Sequence, residues 1–188
     1  FEAHREASEV LKRVWTVHTK RKPDVVIVGA SAWGINLYQA VKATHAGYRA
    51  VKKGGVILTI APCSESWGNE EFKNLMRIGM KKLSEYEDKA IGVKHALRLI
   101  VDLVKEDFKI GKQKPVDIFR ILNYVGYGNL HLIQDGIAPT DYNLLPFVIY
   151  GDKTQLVKDR LRTWIEKYLG DKTIAVINNP GYLVMSYE

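Results

Sequence analysis

The sequence predicts a three-layer α/β domain with a mostly parallel sheet, and three observations carry the prediction. Val25-Val26-Ile27-Val28 and Val56-Ile57-Leu58-Thr59-Ile60 are short, continuously apolar and rich in β-branched residues, as strands buried on both faces are. Between them Asn36 to Lys52 has helical periodicity, stopped by Lys53-Gly54-Gly55. Strand, loop, helix, glycine stop and strand make a βαβ unit, which is parallel and almost always right-handed.

The remaining elements follow in order. Phe1–Thr19 reads as an amphipathic helix, with Val10, Leu11, Val14, Trp15 and His18 at helical spacing. Lys20 to Asp24 breaks it with a charged, proline-containing turn. Gly29-Ala30-Ser31-Ala32-Trp33-Gly34 is a small-residue loop, and Pro62 to Asn69 is the loop after the second strand. Asn69 to Asp107 is largely helical, with interruptions expected near Gly79 and Gly92, and Asp117 to Val125 is a further short helix. Leu130–Ile133 and Phe147–Tyr150 are plausible strands. Thr154 to Leu169 is an amphipathic helix with Leu156, Val157, Leu161, Trp164 and Ile165 on its apolar face. Thr173–Ile177 is a last strand, before Asn178-Asn179-Pro180-Gly181. The expected division is a connecting helix over 1–22 and an α/β domain over 23–188.

Composition bounds the function. With 188 residues, 46% hydrophobic and 26% charged, the chain fits one globular domain. No apolar run approaches the ~20 residues of a bilayer span, and the charged opening is no signal peptide, so a cytoplasmic protein without a membrane partner is expected. A start at Phe1 is expected of a piece of a longer polypeptide. The single cysteine, Cys63, excludes an intrachain disulfide. The formal charge of +7 suits either an anionic ligand or solvated lysine-rich helices, and no nucleic-acid motif accompanies it.

Parallel sheets bind ligands beyond the carboxyl ends of their strands, which selects Gly29–Gly34, Pro62–Asn69, Gln134–Pro139 and Asn178–Gly181. The first loop matches neither a dinucleotide fingerprint nor a phosphate loop. Two readings of it stay open: an anion seat on free N–H groups of the following helix, or plain packing of strand against helix. Tyr38 and Lys42, four residues apart, share one face of that helix, with Gln39 beside them. A phenol, an amide and an ammonium there form a donor set for a small carboxylate. The five histidines, His4, His18, His45, His95 and His131, have no metal-ligand spacing, and no serine elbow is present.

The strings Asp24-Val-Val-Ile, Ile35-Asn36-Leu37-Tyr38-Gln39-Ala40-Val41-Lys42 and Val51-Lys-Lys-Gly54-Gly55-Val-Ile resemble the carboxy-terminal domain of the nickel-pincer-nucleotide-dependent lactate racemase family. Glu2-Ala3-His4-Arg5-Glu6 resembles the segment that joins that family's two domains. The resemblance implies the substrate-binding lobe of a racemase or epimerase acting on a 2-hydroxy acid. It implies hydride transfer to a nickel pincer nucleotide held mainly by an amino-terminal domain of the same protein. It implies no catalytic residue and no metal ligand in this chain, which would be part of an isomerase and inactive alone. Tyr38, Gln39 and Lys42 would bind substrate, Lys42 neutralising its carboxylate. Ser31, Trp33, Ser66, Trp67 and Lys114 would line the cleft. Ser31-Ala32-Trp33-Gly34 is shorter than the family's first loop. Ser66-Trp67-Gly68 stands where Gly-His-Gly is common, and Lys114 where lactate racemases carry tryptophan. These departures imply a larger or more anionic hydroxy acid than lactate. The alternative is a non-catalytic α/β module binding a nucleotide or a partner; a dehydrogenase-type Rossmann domain lacks its fingerprint.

Overall fold

The computed structural model describes residues 1–151, 154–168, 170–178, 180 and 184–187, with backbone alone at 12, 14, 15, 17–19 and 184–187. The helices are α1 (Glu2–Trp15), α2 (Leu37–Ala50), α3 (Glu70–Ser84), α4 (Lys89–Glu106), α5 (Gln113–Val125) and α6 (Val157–Tyr168). The strands are β1 (Thr16–Thr19), β2 (Val25–Gly29), β3 (Val56–Ile60), β4 (Leu130–Ile133), β5 (Val148–Tyr150), β6 (Ile174–Ile177) and β7 (Val184–Tyr187). Short 3-10 helices occupy Ser31–Ile35 and Pro139–Leu144.

Alternation along β2 sets the layers. Val26 and Val28 join a large core with Leu37, Phe72, Ile100 and Phe119, while Val25 and Ile27 join a smaller one closed by Trp164 of α6. A strand covered on both faces has no polar side, which is why its sequence is apolar throughout. The five-stranded sheet has the order β5-β4-β3-β2-β6, with every pairing parallel. The chain steps outward from β2 through β3, β4 and β5, then returns to place β6 on the other side of β2. That reversal is a switch point, so the crevice opens at the carboxyl end of β2. At the opposite end, Asp24 pairs with Lys52 and accepts hydrogen bonds from the Thr173 N–H and Oγ, at 2.8 and 2.6 Å. Lys52, then Thr173, hold its carboxyl well below the usual range.

Several expected boundaries move. Thr16–Thr19 leaves the predicted first helix and forms β1, which pairs parallel with β7 in a separate two-stranded sheet. Thr16, Val17 and Thr19 are β-branched and favour that state. Val10 and Leu11, expected on an apolar face, are exposed, and the side chains of Val14, Trp15 and His18 lie outside the description. The long helical stretch breaks at 85–88, where Asp88 caps α4 by accepting from the Ala90 and Ile91 N–H groups, and not at Gly79 or Gly92. Both glycines sit inside helices at close approaches. A Cβ on Gly79 would lie 2.5 Å from Ile100 Cδ1, and one on Gly92 would lie 2.8 Å from the Leu83 carbonyl. α5 starts at Gln113, four residues before the predicted start. Leu156 and Val157 are exposed rather than part of the apolar face of α6. Leu169, Asn179 and Gly181, which belong to expected elements, lie outside the described residues.

Candidate functional site

The loops after β2 and β3 are joined residue by residue. The Cys63 N–H donates to the Gly34 carbonyl at 2.7 Å, and the Glu65 N–H to that of Ile35 at 2.8 Å. In return the Leu37 and Tyr38 N–H groups donate to the carbonyls of Ser66 and Trp67, at 2.9 and 3.1 Å. Asn36 caps α2, its Oδ1 accepting from the Gln39 N–H at 3.0 Å. The first N–H groups of α2 are therefore occupied. Of the two readings of the first loop, these bonds favour packing. Among the described residues, the non-glycine positions with left-handed φ are Ser31, Cys63 and Ser66, all in these two loops. Such strain persists where surroundings over-determine the backbone. Gly68 shares that conformation at φ 73°, and its Cα faces the Asn36 amide so closely that a Cβ would meet it at 2.2 Å.

One expected cleft residue is core. Trp67 is only 5% exposed, its Nε1 donating to Asp141 Oδ2 at 2.8 Å. Lys73 Nζ pairs with the same oxygen at 2.7 Å and lies 5.5 Å from the indole centroid. Lys73, then Trp67, hold the Asp141 carboxyl below its ordinary range. The aspartate arrives from the 3-10 helix Pro139–Leu144, a partner that spacing along the chain does not reveal.

Tyr38, Gln39 and Lys42 lie beside this corner on α2. Tyr38 packs edge-on against Phe72 with centroids 6.0 Å apart, and its hydroxyl accepts from Gln113 Nε2 at 3.1 Å. Gln113 Oε1 accepts from the Gly111 N–H at 2.9 Å, which fixes the amide. This link joins α2 to the first turn of α5. Lys42, one turn beyond Tyr38, is half-buried with its Nζ 5.4 Å from the centroid of the Trp33 ring. Among the described residues no carboxylate pairs with it. Lys114, next to Gln113, has a side chain only 14% exposed. Its nearest carboxylate, Asp117, is 4.0 Å away and also faces Arg120 at 3.7 Å. Burial lowers the Lys114 pKa; Asp117 opposes the shift and the charge of Lys42 adds to it. Gln39 and Trp33 are half-buried alongside, Ser66 is partly covered and Ser31 exposed. Tyr38, Gln39, Lys42 and Trp33 thus lie together with Lys114 nearby, while Trp67, though its carbonyl accepts from the Tyr38 N–H, turns its indole into the core.

Sequence reasoning missed Gln113, Asp117 and His45. Gln113 precedes a residue already singled out, but no period connects position 113 to 38. His45, one turn after Lys42, has its pKa lowered by burial, with Asp117, Lys114 and Arg120 among the charges acting on it. Cys63 is a core thiol pushed up to about 12 by burial and by Asp135, so it offers no thiolate at neutral pH. His131 is fully buried between Tyr150, Trp164 and Tyr168, and burial followed by the charge of Lys167 takes its pKa down to about 4. Among the described residues no three of His, Cys, Asp and Glu converge to hold a metal ion, and no helix is long and apolar enough to cross a membrane.

Residues 18–102 match the family model of the lactate racemase C-terminal domain. A lactate racemase from Thermoanaerobacterium thermosaccharolyticum is 38% identical over 72 residues, which cover 37% of this chain and 17% of that protein. The solved lactate racemase apoprotein from the same organism superposes with a TM-score of 0.69 at 22% identity, covering 98% of this chain and 40% of that one. A protein of known structure from Thermotoga maritima superposes with a TM-score of 0.54 at 15% identity, covering 100% and 42%. At these identities the two structures show the shared fold. This chain spans 40 to 42% of the length of either.

Proposed function

We propose that this chain belongs to the lactate racemase family through its carboxy-terminal domain, whose family model matches residues 18–102, and that it is the substrate-binding lobe of a racemase or epimerase acting on a 2-hydroxy acid. The observation that carries the reading is Lys42, a half-buried ammonium at the carboxyl end of β2 with no carboxylate partner among the described residues. A restrained cation without a carboxylate partner, beyond the strand ends where ligands bind in parallel sheets, supports an anionic ligand. Lys42 takes the substrate carboxylate, held against Trp33 so that its ammonium has a fixed bearing. Tyr38, oriented by Gln113, and Gln39 supply the neutral donors that set the rest of the molecule. Restraining a carboxylate in this way fixes the carbinol carbon for reaction, and orientation contributes several kcal/mol to a well-placed reactant.

The family's nickel pincer nucleotide, when bound, supplies a hydride acceptor. The reading assigns that nucleotide mainly to an amino-terminal domain and gives the residues of this chain the grip on the substrate. The full-length polypeptide, purified from a host that loads a known racemase, is expected to contain near-stoichiometric nickel and a lysine-linked mass adduct. Nickel-free protein without an adduct from that host would move the reading to a non-catalytic binding module. In the loaded enzyme, Lys42→Ala is expected to raise KM about 10- to 100-fold, the 1.5–3 kcal/mol typical of a hydrogen bond to a charged group.

A further inference from the structure

We propose that the substrate is a short 2-hydroxy dicarboxylate, with one carboxylate on Lys42 and the other on Lys114; this rests on the function proposed above. Two lysines flank one hydrogen bond. Lys42 stands one turn beyond Tyr38 on α2, Lys114 stands next to Gln113 on α5, and the Gln113–Tyr38 bond of 3.1 Å brings the two helices together between them. Both ammonium groups are restrained, Lys42 by the Trp33 ring and Lys114 by surroundings that leave 14% of its side chain exposed. Neither has a full counterion. Lys42 has none among the described residues, and Asp117 stands off at 4.0 Å from Lys114 while shared with Arg120.

Two neighbouring cations, both partly withdrawn from water, repel each other and are incompletely solvated. A monocarboxylate relieves one of them and leaves the other. A dianion relieves both and removes the repulsion. The departures from lactate racemases allowed either bulk or charge to set the substrate, and the second ammonium favours charge. Trp67 is core and Trp33 is engaged by Lys42 itself, whereas Lys114 adds a second positive charge near Lys42.

The test is calorimetric titration of the full-length polypeptide with malate and with lactate at equal ionic strength, repeated on Lys114→Met, Lys114→Arg and Lys42→Met. Malate is expected to bind at least tenfold tighter than lactate. Lys114→Met should bring malate down to the lactate level while moving lactate less than twofold, and Lys114→Arg should keep most of the preference. Equal affinities in the parent protein, or an equal loss for both acids in Lys114→Met, overturn the dicarboxylate assignment. If the preference is absent but Lys42→Met abolishes binding of both acids, the 2-hydroxy acid reading survives alone. If neither acid binds, both fall.

Discussion

Two lysine–tryptophan pairs lie in neighbouring parts of this domain, with nearly the same geometry and opposite surroundings. Lys73 sits 5.5 Å from the Trp67 centroid and Lys42 sits 5.4 Å from that of Trp33. In the first pair the indole is buried, its N–H is bonded to Asp141, and the ammonium is neutralised by that same carboxylate. In the second the indole is half-exposed and the ammonium has no carboxylate among the described residues. The contrast teaches that a cation–π contact alone does not mark a binding site. What separates the two pairs is the carboxylate, present at Lys73 and absent at Lys42 among the described residues, and that difference is the ground on which the proposed site rests.

The largest expected effect separates the indoles. Trp67→Ala should lose about 3–5 kcal/mol of stability, as truncation of a buried aromatic does, and Trp33→Ala about 1 kcal/mol. Urea denaturation of the two variants checks this, and equal losses would erase the distinction.

Asp141→Asn should be the next largest, at about 1–2 kcal/mol, because it removes the ion pair and weakens the bond to a buried indole. The Asp141 carboxyl has a folded pKa below its unfolded value near 4, so its contribution is present above that value and fades as the pH falls through the folded one. Melting profiles between pH 7 and pH 2 should therefore converge for the parent and Asp141→Asn at the acid end. Profiles that stay parallel would contradict the sign.

The smallest effect has the opposite direction at the other pair. Lys114 has a folded pKa below its unfolded value, so its charged form opposes folding at neutral pH and the penalty eases as the pH rises. Lys114→Met is expected to raise Tm slightly at pH 7, within about 1 kcal/mol, while Lys73→Met lowers it. A drop in Tm for Lys114→Met would mean that Asp117 compensates this lysine as fully as Asp141 compensates Lys73.

The βαβ unit was legible because strands buried on both faces must be apolar throughout and because glycines stop the intervening helix; Val56–Ile60 falls on its predicted bounds. The placement of Tyr38, Gln39 and Lys42 on one side of α2 was legible because the helical period puts them there. Trp67 was not, because its partner Asp141 is 74 residues away and only the tertiary fold brings them together. The same holds for Gln113, 75 residues from Tyr38. The break at 85–88 was missed because glycine suggests a stop, whereas here it serves close packing of α3 on α4 and α5. β1 and β7 went unseen because each is four residues long and each is paired only with the other.

The central claim is that Lys42 is the lysine left for a ligand and Lys73 the one the fold keeps. It is tested most directly by calorimetric affinity of the full-length polypeptide for a 2-hydroxy carboxylate, comparing Lys42→Met with Lys73→Met. Loss of about 10- to 100-fold in the first and less than twofold in the second is the predicted result. Equal losses, or a loss confined to Lys73→Met, would contradict it.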